Sequence, residues 1–173
     1  MRLSFQSLAP LVKPVWLGRI GYHEAWKLQE SLVEKINKAK LEKRPIDNLL
    51  LLLEHDPVYT VGKRERQYSA EEERRLKDLG AEFYRTDRGG LITFHGPGQL
   101  VAYPIINLAS LSITPDEEFR QKRVGAKRFV HLIEETVIGL LKEKHGLDVG
   151  RLSGEHGIWI EGTDRKIAAI GLR

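Results

Sequence analysis

Residues 88–103 form the segment that most restricts how this chain can fold, because they read Arg-Gly-Gly-Leu-Ile-Thr-Phe-His-Gly-Pro-Gly-Gln-Leu-Val-Ala-Tyr. Gly89 and Gly90 allow the main chain to turn at positive φ or to approach a ligand closely. The sequence Gly96-Pro97-Gly98 predicts a stiff bend between two apolar runs. Ordinary core segments do not combine such glycines with an arginine, a histidine and a glutamine. We therefore expect a ligand site whose base is formed by the main chain of this segment and whose surrounding side chains are polar.

Apolar periodicity predicts alternating helices and strands along the first two thirds of the chain. Apolar residues recur at helical spacing from about Gly21 to Ala39. The leucine run 49–53 has strand length and leads into Glu54 and His55. Ser69 and Glu72 form a capping-box signature for a short helix through about Leu79. Further strands are predicted at 82–86, 91–94 and 99–106, and this alternation indicates a mixed α/β domain with helices flanking the sheet.

The last third predicts one long helix and one hairpin. Thr114 as N-cap, Pro115 and Glu117 indicate a helix start, and apolar positions continue the helix to Gly146. Residues 158–161 and 166–172 predict a hairpin around the turn Gly-Thr-Asp-Arg. This hairpin would bring Lys166 to the start of its second strand. From the pattern alone, a lysine there most simply protects a strand edge.

Size and composition indicate a single soluble domain over residues 1–173. The 173 residues are 41% hydrophobic, which is enough to fill one core. No run of about 18 apolar residues could span a bilayer, and the N-terminus lacks the features of a secretory signal. We therefore expect a cytoplasmic protein without a membrane partner. The net charge of +4 and interleaved acids and bases argue against nucleic acid as a partner.

Three segments carry a resemblance to one family. Residues 88–103 resemble the signature of the octanoyl transferases of lipoate synthesis, the lipoyl(octanoyl) transferase (LipB) family. Residues 54–62, Glu-His-Asp-Pro-Val-Tyr-Thr-Val-Gly, are similar to an earlier motif of that family. Residues 157–171, which contain Lys-Ile-Ala-Ala-Ile-Gly, are similar to a later one. The resemblance implies the α/β fold of biotin and lipoate protein ligase and transferase catalytic domains.

The resemblance also implies an activity. Family members move an octanoyl group from octanoyl-acyl carrier protein to a lysine of a lipoyl domain, through a cysteine acyl-thioester. The acceptors it implies are the lipoyl domains of 2-oxoacid dehydrogenase complexes and the glycine cleavage H protein. Because a thioester is converted to an amide, the reaction is downhill and needs no nucleotide or other cofactor. Mildly basic charge would suit acidic carrier proteins.

Site residues follow from the matched motif positions. The family's lysine pairs with the catalytic cysteine, which implies a catalytic role for Lys166. A thiol with a pKa of about 8.5 is mostly protonated at neutral pH, and a nearby ammonium stabilises the reactive thiolate. The acyl-binding positions are small, apolar or polar residues from two segments. They are Arg88, Gly89, Gly90, Leu91, Ile92, Thr93, Phe94 and His95 in the first segment, and Ala169, Ile170 and Gly171 in the second.

One departure from the family bears on the chemistry. Family members continue into a Pro-Cys-Gly segment that carries the catalytic cysteine, whereas this sequence contains no cysteine. We therefore expect the catalytic domain to be C-terminally incomplete at Arg173. Two alternative functions follow: an ATP-dependent lipoate or biotin ligase relative, and a catalytically incompetent fragment that only binds carrier or lipoyl domains.

Alternatives also exist for individual residues. His95 is predicted to orient the loop or the substrate, because no second histidine stands at zinc-motif spacing, and no metal site is expected. Arg88 could instead be a buried scaffold partner of Asp87 or Glu54. A buried hydrogen-bonded corner is the better interpretation for Glu54, His55, Pro57 and Tyr59.

Overall fold

The computed structural model describes residues 12–63, 68–110, 124–153 and 157–172. Their contacts form two compact units: residues 12–60, 68–84 and 94–110, and residues 61–63, 85–93, 124–153 and 157–172. The helices are α1 (Tyr22–Leu41), α2 (Ala70–Asp78) and α3 (Ala126–His145). The strands are β1 (Lys13–Ile20), β2 (Leu49–His55), β3 (Val58–Val61), β4 (Glu82–Arg85), β5 (Thr93–His95), β6 (Val101–Ile105), β7 (Val149–Gly150), β8 (Ile158–Ile160) and β9 (Lys166–Ala168). The predicted mixed α/β class is confirmed.

The core of the first unit lies between one sheet and α1. This sheet has the order β1-β2-β6, in which β1 is parallel and β6 antiparallel to β2. Alternate side chains of the leucine run point inward, so Leu51 and Leu53 are buried with Val101 and Ile105. Helix α1 adds its apolar stripe of Leu28, Leu32 and Ile36. The predicted first helix and leucine strand are confirmed.

Strand β1 was not predicted from the sequence. Pro14 and Gly18 weaken its strand signal, and both residues fit an edge strand, which within the described part of the chain pairs with β2. The pairing register shifts between Trp16 and Arg19, where Gly18 adopts a φ of +69°. Such a bulge obscures the alternation that identifies a strand.

Local capping chemistry sets the short second helix, as predicted. The Ser69 hydroxyl accepts a hydrogen bond of 3.1 Å from the Glu72 amide, and α2 follows over Ala70–Asp78. Leu76 is its buried residue. The capping signature therefore placed this helix to within a residue.

The two strands predicted on either side of the Gly96-Pro97-Gly98 bend belong to different sheets. Strand β5 lies in a sheet of order β4-β3-β5, whereas β6 pairs with β2. Gly98 adopts a φ of +82°, and the Gln99 amide donates to the Gly96 carbonyl at 3.1 Å. Strand β5 begins at Thr93 rather than at residue 91, because the preceding turn contains Gly90 at a φ of +95°.

The long helix of the second unit begins later than predicted. Gly125 is extended, with φ −78° and ψ 162°, and serves as the N-cap of α3. A continuous helix from Thr114 is therefore wrong, because the chain at Gly125 interrupts it; Thr114, Pro115 and Glu117 themselves lie outside the described residues. The predicted stop is confirmed, since Gly146 adopts the left-handed conformation with φ 63°.

The predicted hairpin forms strands β8 and β9 of the third sheet, whose order is β7-β8-β9. Strands β8 and β9 are antiparallel, and the Ile160 amide donates to the Arg165 carbonyl at 2.9 Å across the turn. Lys166 is the first residue of β9, as predicted, although this strand ends at Ala168 rather than at residue 172. None of the helices within the described ranges has the length and apolar character needed to cross a membrane.

Candidate active site

The Arg88–Gly90 loop of the second unit lies directly over Gly62. A Cβ atom at Gly62 would stand 2.5 Å from the Gly90 carbonyl oxygen, 2.7 Å from that of Arg88 and 3.0 Å from that of Gly89. The Lys63 amide donates to the Arg88 carbonyl at 2.9 Å. Three main-chain carbonyls therefore converge on a position that can hold only glycine without rearrangement.

The same loop contacts the second predicted wall of the pocket. The Gly89 amide donates to the Leu172 carbonyl at 3.1 Å. A Cβ atom at Gly171 would lie 3.2 Å from the Gly89 carbonyl oxygen and 3.5 Å from Cδ of Arg88. Two segments that are about eighty residues apart in sequence thus meet at their glycines. The Gly89 amide is already bonded in this conformation, so it is not available to a developing oxyanion.

Arg88 folds back on its own loop. Its Nη1 donates to the Gly89 carbonyl at 2.9 Å, and a Cβ atom at Gly90 would lie 3.3 Å from the same nitrogen. The side chain is partly buried. This contact fixes the loop carbonyls, and a role of Arg88 toward the acyl substrate stays a prediction.

Of the other predicted residues of the first wall, Leu91, Ile92 and Thr93 belong to the second unit, whereas Phe94 and His95 belong to the first. His95 Nδ1 lies 2.7 Å from Oε1 of the Gln99 side chain, and Nε2 of the same side chain donates to the Phe94 carbonyl at 3.2 Å. An amide oxygen can only accept, so His95 Nδ1 carries the proton. Glu54 reinforces the bend by accepting from the Gly98 amide at 2.8 Å. His95 is thus held by the bend, which agrees with a positional role.

His55 occupies the buried corner that the sequence suggested. Its side chain is fully buried, Nδ1 donates to the Ile20 carbonyl at 2.8 Å and Nε2 accepts from the Tyr103 hydroxyl at 2.9 Å. Burial lowers the pKa of His55, although the Ile20 hydrogen bond and the nearby Asp56 and Glu82 carboxylates oppose this shift. The folded state therefore favours the neutral ring.

We expect this histidine to make folding stability depend on pH. With its folded pKa below 6.5, His55 binds a proton more readily in the unfolded chain, so its contribution is present above pH 6.5 and lost as pH falls through the folded pKa. The loss cannot exceed about 1.4 kcal/mol per pH unit. In urea unfolding, the free energy of unfolding of the parent should fall as the pH is lowered from 8 to 5. In His55→Gln it should fall less steeply with pH. The exposed His145→Gln is the control, and equal slopes in all three proteins would contradict the prediction.

Lys166 stands on the β8–β9 hairpin with its side chain exposed. Its Nζ lies 4.6 Å from the centroid of the Trp159 ring, a cation–π geometry. Three residues further along, the same segment reaches Ala169, Ile170 and Gly171. Lys166 also lies on a strand at the edge of its sheet, so the edge-protection interpretation agrees with its position as well.

Sequence reasoning missed two glycines that shape this region. Gly62 ends the motif 54–62 and supports the Arg88–Gly90 loop. Gly157 begins the motif 157–171 and adopts a φ of +101°, and a Cβ atom at this position would collide with the Ala168 carbonyl oxygen. Each glycine stands at one end of a matched motif, which was the sequence signal that could have identified it. Its contacts depend on tertiary packing, so that signal does not reveal what the glycine does.

Comparison with known proteins identifies the family. Residues 21–173 match the family described as lipoyl protein ligase A/B catalytic domain. A zebrafish (Danio rerio) protein named octanoyl-[acyl-carrier-protein]:protein N-octanoyltransferase LIPT2, mitochondrial, is 45% identical over 161 residues, 93% of this chain and 64% of the relative. An octanoyltransferase of Bacteroides thetaiotaomicron is 40% identical over 158 residues, 89% of this chain and 64% of that protein. The chain thus spans a little under two thirds of these relatives.

Solved structures show the same fold at low sequence identity. Plasmodium falciparum LipL1 in complex with lipoate matches with a TM-score of 0.57 and 16% identity, covering 90% of this chain and 41% of that one. The bipartite lipoate protein ligase of Thermoplasma acidophilum matches with a TM-score of 0.50 and 17% identity, covering 87% and 51%. The chain therefore belongs to the lipoyl protein ligase A/B catalytic domain family, and the relationship to octanoyltransferases expected from its motifs is confirmed.

Proposed function

We propose that this protein transfers an octanoyl group from octanoyl-acyl carrier protein to a lysine amine of lipoyl domains. The observation that supports this proposal best is the contact between the Arg88–Gly90 loop and Gly171. Gly171 ends the segment that begins at Lys166, so the glycine loop contacts the far end of the segment that carries this lysine. Small residues at these positions suit the binding of a narrow apolar chain.

The proposed chemistry has two steps. A thiolate attacks the donor thioester, its carbon–sulfur bond to the carrier breaks and the carrier leaves as a thiol after gaining a proton. The acceptor amine then attacks the new thioester, loses a proton and forms an amide. Lys166 would stabilise the thiolate in the first step and, when neutral, accept the amine proton in the second. The nucleophile is not among these 173 residues, which contain no cysteine.

The partners and the compartment are proposals of the same kind. The name of the zebrafish relative specifies an acyl-carrier-protein donor, and the proposed acceptors are the lipoyl domains of 2-oxoacid dehydrogenase complexes and the glycine cleavage H protein. We propose a cytoplasmic location from the sequence, whereas the zebrafish relative is named mitochondrial. Imaging or fractionation of the tagged full-length gene product would decide between the two compartments.

Intact mass spectrometry tests the activity. We expect the full-length gene product to gain one octanoyl group from octanoyl-acyl carrier protein and to lose it to hydroxylamine, as thioesters do. Added lipoyl domain should then receive the octanoyl group on its lysine. Octanoylation of the domain from free octanoate and ATP, without the carrier, would instead identify a ligase. Binding of the carrier protein or of the lipoyl domain without any acylation would instead indicate a catalytically incompetent protein.

A further inference from the structure

Glu134 is a buried carboxylate within α3, and both of its oxygens are bonded. Its side chain is 8% exposed, and Oε2 accepts from Nε of Arg151 at 2.7 Å. Its Oε1 accepts from the Gly157 amide at 3.3 Å. An isolated buried carboxylate is costly, so a partner cation and an N–H donor are both needed here. One side chain thereby fastens α3 to the residue that immediately precedes β8.

Gly157 is in turn adjacent to Lys166. Its φ of +101° is a conformation that other residues rarely adopt. A Cβ atom at Gly157 would collide with the Ala168 carbonyl oxygen and lie 3.3 Å from Cδ of Lys166. The backbone at Gly157 therefore lies against the aliphatic part of the lysine whose Nζ stands over the Trp159 ring.

Glu135 provides a natural comparison on the same helix. Its carboxylate lies 2.6 Å from Nη2 of Arg151, but its side chain is 55% exposed. The hydrogen bond from Arg151 lowers the pKa of Glu135. Glu134 and Glu135 thus share one arginine, whereas the hydrogen bond to Gly157 comes from Glu134. Substituting Glu135 removes one ion pair with Arg151, whereas substituting Glu134 also alters the hydrogen bond to Gly157. Comparing the two variants therefore separates the effect of the Arg151 ion pair from the effect of the Gly157 contact on Lys166.

We propose that Glu134 is a positioning residue for Lys166, acting through Gly157. The carboxylate fixes the Gly157 amide, Gly157 supports the lysine side chain, and the lysine ammonium is thereby held over Trp159. This inference rests on the proposed function, because it assigns Glu134 to the placement of the catalytic lysine in that reaction. Arg151 donates to the Glu134 carboxylate and orients it.

The test compares Glu134→Gln with Glu135→Gln in the full-length gene product. Protons of a lysine above an indole ring are shielded by the ring current, so the Lys166 side-chain protons should resonate upfield in the parent. A glutamine at this position has one acceptor oxygen and an NH2 group that faces a donor, so it cannot accept from both Arg151 and Gly157. We therefore expect Glu134→Gln to reduce this upfield displacement and Glu135→Gln to retain it. In steady-state transfer from octanoyl-acyl carrier protein, Glu134→Gln should lower kcat about tenfold or more, because a misplaced catalytic group slows chemistry. KM should change little.

The NMR readout keeps this inference separate from the proposed function. If the parent transfers no octanoyl group, the proposed function fails, while the ring-current comparison still supports or overturns the positioning role. An unchanged Lys166 displacement in folded Glu134→Gln would overturn it, as would equal losses in both variants. If Glu134→Gln does not fold, Glu134→Asp keeps the charge for Arg151 but shortens the reach to Gly157, and we expect the same reduction there.

Discussion

Lys166→Ala should reduce octanoyl transfer by about 10²–10⁴-fold, the contribution that a positioned acid–base group usually makes. The variant should remain folded, because the Lys166 side chain is exposed. Its cation–π contact with Trp159 at 4.6 Å is worth about 0.5–1 kcal/mol at an exposed site. Single-turnover transfer to a lipoyl domain and the thermal unfolding temperature would be measured together. Near-normal transfer would remove Lys166 from the mechanism and favour the role of an edge-protecting lysine.

Lys166→Arg separates two functions of the lysine. Arginine retains the positive charge and can stack on Trp159, but it does not release a proton near neutral pH. We expect this variant to form the acyl-enzyme faster than Lys166→Ala and to pass the octanoyl group to the acceptor amine slowly. Arg165→Ala removes a charge from the adjacent turn residue and is the matched control, which should transfer at the parent rate.

Local sequence determined those parts of the site that depend on neighbouring residues. The turn Gly-Thr-Asp-Arg specifies the hairpin, because Gly162 adopts a φ of +72° and Thr163 hydrogen bonds to the Ile160 carbonyl. The position of Lys166 at the start of β9 follows from that turn. The capping box at Ser69 and the stop at Gly146 are equally local, and both were predictable for that reason.

Features that depend on distant contacts could not be predicted. The hydrogen bond from the Gly89 amide to the Leu172 carbonyl joins loops with no complementary sequence pattern. No sequence pattern distinguishes Glu134 from the other charged residues of α3, and its burial becomes evident only when Arg151 and Gly157 are placed. The assignment of Lys166 and of the acyl pocket came from the family resemblance, since periodicity alone favoured an ordinary surface lysine.

Gly62 occupies a position that has no space for a Cβ atom. It is buried, and the carbonyl oxygens of Arg88, Gly89 and Gly90 surround the place of a Cβ atom. All three oxygens belong to the main chain, so no side-chain rotation can relieve an overlap. The loop they form is tied on one side by the Lys63 amide and on the other by Leu172.

Gly62→Ala should therefore destabilise the fold by about 1–3 kcal/mol, the usual cost of forcing an extra methyl group into a packed site. It should also lower kcat/KM for octanoyl-acyl carrier protein by about 10²-fold, because displacing the Arg88–Gly90 loop by about an ångström would misalign the acyl group that we propose it binds. Gly139→Ala is the control: its Cβ would meet no atom within 4 Å in α3, and removing a helical glycine should stabilise the protein by about 0.5–1 kcal/mol. Urea unfolding and steady-state kinetics on both variants test this directly. Parent-like stability and turnover in Gly62→Ala would mean that the Arg88–Gly90 loop can move away freely, which is incompatible with the proposal that this loop holds the acyl group in a fixed position.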